Sequence, residues 1–590
     1  MNKNTIIAML LSTIVLIGAF IIQPILFPNA YTAERKENSV IPQDEQFDTE
    51  DIENTQKKIS ILSDIEENDK LEEKKIVLNF EKIEVELTNR GGDIISFKLN
   101  DHIDVDTGEG VQMVDNVSEF NRACALSFGD VYSPIINDLF TVEQKDENTV
   151  LFTKKFRVKN DDESESSFIL GKRYTFMPGE FMFKLDVLIH GENEENKIDI
   201  ANTGYNLRTS PQIGPHYDPK LNRYENRQFI SFNGSKAKRQ IISSRQFKEY
   251  QKPYMWNGIA GKYFVELVIP ENKMVMNNSY YSSQVEVNEY ANAQAIMVRK
   301  PINEQDVQDT YYMYFGPRNE KDLKVYNLAD KNGWGLNGLR LSECLQSSGW
   351  LGWLETILKW IMEIVNRFVH NWGISIILMT IIIKTIMFPF TKKQSMGTLK
   401  MQEIQPKIKA IQEKYKDNPQ KLNEAMTKVY QESGYNPMSG CLPMIVQFLI
   451  LFAMYNLFNN YFEFRGSVFI PGWISDLSVG DSVYTFRRSI PFFGNQLRIL
   501  PLIYLASQLF YGKITGNGGT ASAGSSQMQM KMMMYGMPIV FFFIFYNAPS
   551  GLLLYWTVSN IFQMGQQIVI NNMMKKKRAE TRLEDKKRKR

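Results

Sequence analysis

Cysteine and histidine are scarce in this chain of 590 residues, and their scarcity excludes two kinds of site. The three cysteines, Cys124, Cys344 and Cys441, fit no disulfide framework and no zinc ligand spacing. The four histidines are scattered, so we predict no histidine-based metal centre. Walker A, HExxH and GxSxG motifs are missing as well. We therefore expect no metal, no cofactor and no catalytic residues.

The net charge of +2 hides an uneven distribution of charge along the chain. Residues 34–75 are rich in Asp and Glu, whereas the tail from residue 572 to 590 is strongly basic. Apolar residues gather at the N-terminus and after about residue 350, while the stretch between them has a soluble composition. The chain therefore divides into membrane and aqueous parts.

The N-terminal segment contains an apolar run at residues 5–27, preceded by Lys3. A cleaved signal peptide is one interpretation, but the run is long for one and no good small-x-small site follows it. We predict a membrane anchor over residues 1–27. Residues 28–75 contain few aromatic and many charged residues, which predicts a disordered tether.

Short alternating runs begin near residue 76 and predict a second, all-β region. IEVELT and DIISFKL flank the turn NRGG at 89–92 and together predict a hairpin. Further strand-like runs continue to about residue 330, and many strands with few helices favour a β-sandwich over residues 76–330.

Residues 350–368 have apolar side chains at helical spacing, interrupted by Glu and Arg. Three tryptophans in this segment favour a helix lying in a membrane interface. A helix packed on the β-sandwich is the alternative.

Five further apolar runs predict membrane-spanning helices, and with the N-terminal anchor they make six. They lie at 372–390, 440–460, 498–512, 534–548 and 551–571. Lysines concentrate between the first two runs and in the tail, so both regions and both termini are predicted to be cytoplasmic. The β-sandwich then lies outside, in the periplasm of a two-membrane cell.

The cytoplasmic segment 391–436 has two apolar stripes separated by DNPQ, which predicts an antiparallel helical hairpin. Its basic residues form either a solvated face or a docking surface for RNA or an acidic protein. The candidate contact residues, in the hairpin and in the tail, are Lys407, Lys409, Lys414, Lys575, Lys576 and Lys577.

Lys384 is a cation inside the apolar run 372–390, where it needs a partner or water. Thr380 precedes it by four residues and therefore shares its helical face. Other predicted spans supply polar side chains that are costly in lipid, namely Gln447, Asn456, Gln508, Ser559, Asn560 and Gln563. Together these residues predict a polar, hydrated interior.

Three interpretations of Lys384 compete. It extends to the inner interface, it pairs with a buried carboxylate, or it receives a negative charge from another molecule. The apolar cores of the predicted spans contain no Asp or Glu, which argues against the second interpretation and against an ion-coupled transporter. This absence favours the third.

Three motifs resemble the core of the YidC/Oxa/Albino family of membrane-protein insertases. They are NWGISIILMTIIIKTIMFP at 371–389, NPMSGCLPMIVQ at 436–447 and PSGLLLYWTVSNIFQMGQQ at 549–567. The resemblance extends through NRGGD at 89–93 and FGP at 315–317 into the β region.

The resemblance implies a multi-pass α-helical membrane protein of six spans in the bacterial inner membrane. Five of them, within residues 372–571, would form a conserved core around a hydrophilic groove, and the periplasmic domain would be a β-supersandwich. It places Lys384 where relatives commonly carry Arg, and it assigns functional positions to Thr380 and Trp556. Lys keeps the charge but lacks the planar fork of Arg.

The implied function is insertion and folding of membrane proteins without nucleotide hydrolysis. Nascent membrane proteins, the Sec translocon, the ribosome and the lipid bilayer are the expected partners, and no DNA is expected. Substrates would enter a groove lined by Lys384, Thr380, Gln447, Gln508, Trp556 and Asn560. They would leave along Met444, Phe448, Phe452, Phe541, Phe542 and Phe545. The alternatives are a membrane-anchored carbohydrate-binding protein and a purely structural translocon subunit.

Overall fold

A computed structural model describes most of the chain after residue 59. The described residues are 60–63, 71–104, 107–129, 131–159, 165–191, 204–217, 225–242, 247–250, 254–273, 276–282, 293–302, 304–345, 351–415, 418–434, 438–490, 493–516 and 535–588. The predicted anchor 1–27 and the Met-rich stretch from Met528 to Met534 lie outside them. The chain divides into two compact units, Met1–Gln346 and Ser347–Arg590.

The first unit is built mainly from strands. Its strands are β1 Ser60–Ser63, β2 Lys75–Asn79, β3 Ile83–Thr88, β4 Asp93–Ile103, β5 Gly110–Gln112, β6 Leu126–Phe128, β7 Thr141–Gln144, β8 Thr149–Lys159, β9 Glu165–Thr175, β10 Met182–Gly191, β11 Tyr205–Arg208, β12 Gln228–Phe232, β13 Ala237–Ile241, β14 Phe247–Tyr250, β15 Trp256–Ala260, β16 Phe264–Pro270, β17 Met276–Ser282, β18 Gln294–Arg299 and β19 Asp306–Pro317. The short helix α1, Glu320–Lys324, follows them.

These strands form antiparallel sheets with a shared apolar core. The largest has the order β1-β8-β9-β10-β19-β16-β15-β12-β13, with β7 on β8. A second follows the order β14-β17-β18-β11-β6, and a third the order β2-β3-β4-β5. Every residue of β16 is buried, as expected of a strand covered on both faces.

The predicted hairpin around NRGG is confirmed, since β3 pairs with β4 in antiparallel register. Gly91 and Gly92 both have positive φ, 68° and 61°, a conformation that L side chains rarely adopt. At Gly92 a Cβ would also lie 2.9 Å from the Cβ of Phe152. This turn therefore depends on its glycines.

Within the segment predicted as a disordered tether, the described residues 60–63 form the strand β1. Residues of β1 pair with β8, from Ser60 opposite Lys159 to Ser63 opposite Phe156. The exposed edge of a sheet offers unpaired backbone groups that recruit even a short segment. Composition alone does not show this, because the pairing partner is about 95 residues away in sequence.

The second unit is mainly helical. Its helices are α2 Gly352–Val369, α3 Trp372–Ile386, α4 Phe388–Lys414, α5 Pro419–Glu432, α6 Met438–Asn460, α7 Leu500–Gly516, α8 Met537–Phe545 and α9 Ser550–Arg588. Between α6 and α7, strands β20 Tyr484–Ile490 and β21 Gly494–Leu497 form a hairpin. The range predicted as a helical hairpin, 391–436, contains α5 and all but the first three residues of α4, and the two helices meet through Ile404, Ile408 and Val429.

The run predicted as one span over 372–390 is bent. Helix α3 ends at Ile386, and α4 begins directly after Met387 with Pro389 in its first turn. Among the described helices, none is both long and apolar enough to cross a membrane alone. One bent pair, Trp372–Ile386 with Phe388–Gly397 at 56°, meets both conditions together.

Candidate functional site

Lys384 is the centre of the candidate site and lies inside α3 with 5% of its surface exposed. Its ammonium donates a hydrogen bond of 3.0 Å to Oε1 of Gln563 on α9. Gln563 donates through Nε2 to the hydroxyl of Tyr511 on α7, also at 3.0 Å. One cation and two neutral groups therefore connect three helices.

A second glutamine holds the backbone at the same point. Nε2 of Gln566 donates to the carbonyl oxygen of Lys384 at 2.8 Å. Gln563 and Gln566 are three residues apart, so both project from one face of α9 toward α3. From the sequence, Gln563 was predicted only as a polar residue of a span, and Gln566 and Tyr511 were not predicted at all. Two glutamines at helical spacing in an apolar run were the available signal.

Thr380 is fully buried one turn before Lys384. Its hydroxyl donates to the carbonyl oxygen of Ile376 at 2.6 Å, within its own helix. This bond satisfies the hydroxyl donor locally and leaves oxygen lone pairs as acceptors.

A polar seam joins α7 to α9 beside Lys384. Its members are Tyr504, Ser507, Gln508 and Tyr511 on α7, and Trp556, Asn560 and Gln563 on α9. Each set follows i, i+3/i+4, i+7 spacing, so each forms one stripe on its helix.

Hydrogen bonds link the middle of this polar seam. Gln508 donates through Nε2 to the hydroxyl of Tyr504 at 3.0 Å and to Oδ1 of Asn560 at 3.4 Å. Asn560 donates in turn to the hydroxyl of Ser507 at 3.1 Å. The structure therefore brings the predicted residues Gln508 and Asn560 together.

Trp556 closes the seam at its other end and is held by ring contacts. Its ring centroid lies 4.7 Å from that of Phe545 and 5.6 Å from that of Tyr504. Its buried indole nitrogen has no hydrogen-bond partner among the described residues. Packing, rather than hydrogen bonding, fixes this side chain.

The residues predicted to guide a departing substrate differ in how exposed their side chains are. Phe452 is 48% exposed, and Phe541 packs beside Phe545 at 5.8 Å. Phe542 is only 7% exposed, because it packs on Phe493 and Tyr546, whereas its neighbour Phe543 is 49% exposed. Three consecutive phenylalanines look alike in sequence, and only the helix rotation decides which one faces outward.

Three predicted site residues, Met444, Gln447 and Phe448, lie on α6, but their side chains are outside the described part of the structure.

The predicted contact lysines lie on two helices. Lys407 and Lys414 are exposed on α4, and Lys575 and Lys576 are exposed on α9. The side chains of Lys409 and Lys577 lie outside the described part.

The histidines of the β unit do not form the cluster that the carbohydrate-binding alternative requires. His190 pairs with Asp306, and Nδ1 of His216 lies 2.8 Å from Asp115, both at exposed positions. His102 instead packs against the rings of Phe181 and Phe264.

Comparisons with known proteins cover both units. Residues 75–363 match the family model described as "YidC periplasmic domain", and residues 364–577 match "60Kd inner membrane protein". A relative from Treponema denticola named "Membrane protein insertase YidC" is 42% identical over 98% of this chain and 100% of its own length. One of the same name from Treponema pallidum is 36% identical over the same shares.

Among solved structures, the chain is similar to a crystal structure titled "Active YidC insertase crystal structure with the first transmembrane domain resolved". The two are 19% identical, the match covers 86% of this chain and 93% of the other, and the TM-score is 0.34. The two family models and the full-length relatives agree with one another, and the chain belongs to the YidC family of membrane protein insertases.

Proposed function

We propose that this protein inserts spanning segments of nascent membrane proteins into the bilayer and helps them fold, alone or with the Sec translocon. The observation that carries the proposal is the buried ammonium of Lys384, bound to the neutral amide of Gln563. In this bond the cation faces an amide oxygen rather than a carboxylate. An acidic side chain of a substrate would therefore gain from replacing the amide.

The replacement is favourable for a physical reason. An amide oxygen offers the ammonium only a partial charge, whereas a carboxylate carries a full negative charge, so the exchange adds an ion-pair attraction to the hydrogen bond. Lys384 would offset part of the cost of moving a substrate carboxylate out of water. The polar seam beside it, through Gln508 and Asn560, would provide further hydrogen bonds to a polar segment in transit.

The length of α3 supports a locally thin membrane at this site. Helix α3 contains 15 residues, which correspond to about 22 Å of rise, against about 30 Å of hydrocarbon. A thin barrier lowers the cost of moving polar groups across it. The substrate span would then leave past exposed apolar side chains such as Phe452 and Phe543.

We propose six spans with both termini in the cytoplasm, the first being the anchor 1–27 and the others α3, α6, α7, α8 and α9. The β unit would form a periplasmic supersandwich on the tether 28–75, and α2 would lie in the interface, where Trp353 and Trp360 are exposed. Helix α9 contains 39 residues, about 58 Å, so its basic end extends beyond the bilayer.

The basic α4–α5 hairpin and the tail 572–590 are the proposed contacts with the ribosome and the Sec translocon. Charge-driven binding to RNA weakens steeply with salt. Salt-sensitive co-sedimentation with ribosomes, lost in a Lys407→Gln/Lys414→Gln variant, tests this part.

Reconstitution tests the function itself. Purified full-length protein in liposomes should convert a small single-span substrate with an acidic translocated segment to a protease-protected form. Empty liposomes are the control. Equal protection with and without the protein would contradict insertase function and leave a structural subunit as the remaining interpretation.

A further inference from the structure

The β20–β21 hairpin is fixed to the ends of α7 and α8. Oδ2 of Asp481 accepts hydrogen bonds from the backbone nitrogens of Ile499 and Leu500, both at 2.9 Å, at the start of α7. The same oxygen accepts from the indole nitrogen of Trp473 at 2.9 Å. A helix N-terminus favours a carboxylate, so this contact holds the segment before β20 at the start of α7.

Arg498, directly after β21, connects this strand to the end of α8. Its guanidinium donates to Oδ1 of Asn547 at 3.1 Å and to the carbonyl oxygen of Asp481 at 2.9 Å. The hydroxyl of Tyr546 also donates to the carbonyl oxygen of Gln496 at 3.1 Å. The hairpin therefore has a defined position relative to both helices.

Phe493, directly before β21, packs against α8. The ring of Phe493 lies 5.7 Å from that of Phe543 and 4.8 Å from that of Tyr546. Phe543 shares its exposed face of α8 with Ile539 and Val540. The polar seam is reached instead through Phe545, which contacts Trp556. In the proposed membrane placement, the hairpin continues the lipid-facing surface.

The hairpin carries exposed apolar side chains that its two strands cannot bury. Tyr484 and Leu497 are directly opposite in the register, 60% and 37% exposed, and the ring of Phe486 lies 5.1 Å from that of Tyr484. Ile490, at the end of β20, is also exposed. Exposed apolar side chains that lie this close together are typical of a surface that binds a membrane or another apolar partner.

Two adjacent cations accompany these apolar side chains. Arg487 and Arg488 are both exposed, and neither forms an ion pair with any residue that the structure describes. Guanidinium groups match phosphate oxygens in geometry and charge. Aromatic and basic side chains together are typical of segments at the headgroup level of a membrane.

We propose that the β20–β21 hairpin binds anionic phospholipid at the periplasmic surface of the inner membrane. Tyr484, Ile490 and Leu497 would lie at the acyl boundary, and Arg487 and Arg488 would contact lipid phosphates. The proposal rests on the membrane placement described under the proposed function. An acidic protein segment has the same charge as the lipid, but the contact of Phe493 with the exposed ring of Phe543 favours the lipid.

Photo-crosslinking in the full-length protein tests this proposal. p-Benzoylphenylalanine replaces Tyr484, and the protein is reconstituted in nanodiscs of phosphatidylglycerol or of phosphatidylcholine. Leu328, an exposed residue of the β unit, carries the same probe as the solvent control. We expect phospholipid adducts at position 484 that exceed those at 328, and more of them with phosphatidylglycerol.

The arginines provide a matched pair of variants. Arg487→Gln/Arg488→Gln should lower the phosphatidylglycerol adduct roughly thirtyfold, since each of the two cations near an anionic surface contributes about 1 kcal/mol. Arg487→Lys/Arg488→Lys keeps the charge and should retain most of the adduct.

Three results would overturn the proposal: adducts no more frequent than at position 328, adducts to protein instead of lipid, or lipid adducts equal for both lipids and both variants. Insertion in proteoliposomes is measured in parallel. If insertion is normal and any of these results is found, only the lipid-binding proposal for the hairpin is contradicted. If insertion is absent, the proposed function is contradicted.

Discussion

The ammonium of Lys384 donates a 3.0 Å hydrogen bond to the side-chain oxygen of Gln563, which joins α3 to α9. The bond places a neutral, replaceable partner beside a buried cation. If this cation receives acidic substrate groups, a carboxylate supplied by the protein itself should block the site.

Gln563→Glu should therefore abolish most insertion while leaving the protein folded, because an internal ion pair would compensate Lys384. Gln563→Met keeps the volume and the neutrality but removes the hydrogen bond. We expect this variant to lose stability by about 1–3 kcal/mol and to keep most of its insertion. Proteoliposome insertion and thermal unfolding of both variants measure these effects. Equal insertion by Gln563→Glu and the parent protein would contradict the proposed role.

Trp556 should act through its ring, since its indole nitrogen has no partner among the described residues. Trp556→Phe should keep insertion close to that of the parent protein, whereas Trp556→Ala should lose the contacts with Phe545 and Tyr504 and destabilise by about 3–5 kcal/mol. Unfolding in detergent together with insertion measures both. A large loss of insertion in Trp556→Phe, with stability unchanged, would indicate that the N–H group contacts the substrate.

Stability of the β unit should fall as the pH rises from about 4.5 to about 8. Burial of Glu266 in β16 raises the pKa of its carboxyl to about 8, above its ordinary value of 4.5. A raised pKa means that the folded state holds the proton more tightly than the unfolded state. The stability that protonated Glu266 contributes is therefore complete below pH 4.5 and is lost as the pH rises through 8. The slope should reach at most about 1.4 kcal/mol per pH unit.

Glu266→Gln should remove this slope, and Glu271→Gln, at an exposed position, should leave it unchanged. Hydrogen exchange of β15 and β16 amides in the full-length protein across this pH range measures the effect. A slope that survives in Glu266→Gln would assign it to another group.

Asp93 should be essential for stability of the β unit because it compensates two buried cations. Its carboxylate accepts from Nε of Arg122 at 2.9 Å and pairs with Lys172, all three being buried. Burial lowers the pKa of Lys172, and Asp93 opposes this change. Asp93→Ala should cost about 3–5 kcal/mol by leaving both cations without this carboxylate.

Glu109→Gln breaks the exposed pair with Lys98 instead and should cost at most about 1 kcal/mol. Chemical unfolding, followed through the β unit of the full-length protein, compares the two variants. Similar losses of stability in both variants would contradict the role of Asp93 in compensating Arg122 and Lys172.

The sequence was informative where a pattern is local. The hairpin at NRGG follows from alternation and two glycines, and the shared face of Thr380 and Lys384 follows from their spacing of four. Contacts between distant segments were not predictable. The strand β1 depends on a sheet edge, the burial of Phe542 depends on Phe493, and the partner of Lys384 depends on the rotation of α9.

A charge exchange between Lys384 and the substrate tests the central claim most directly. Lys384→Glu should lose insertion of a substrate whose translocated segment carries Asp or Glu, and should regain it when those residues are replaced by Lys. Lys384→Arg should support the original substrate, since it keeps the charge. Failure of the basic substrate to rescue Lys384→Glu, or normal insertion of the acidic substrate by that variant, would contradict electrostatic capture at this site.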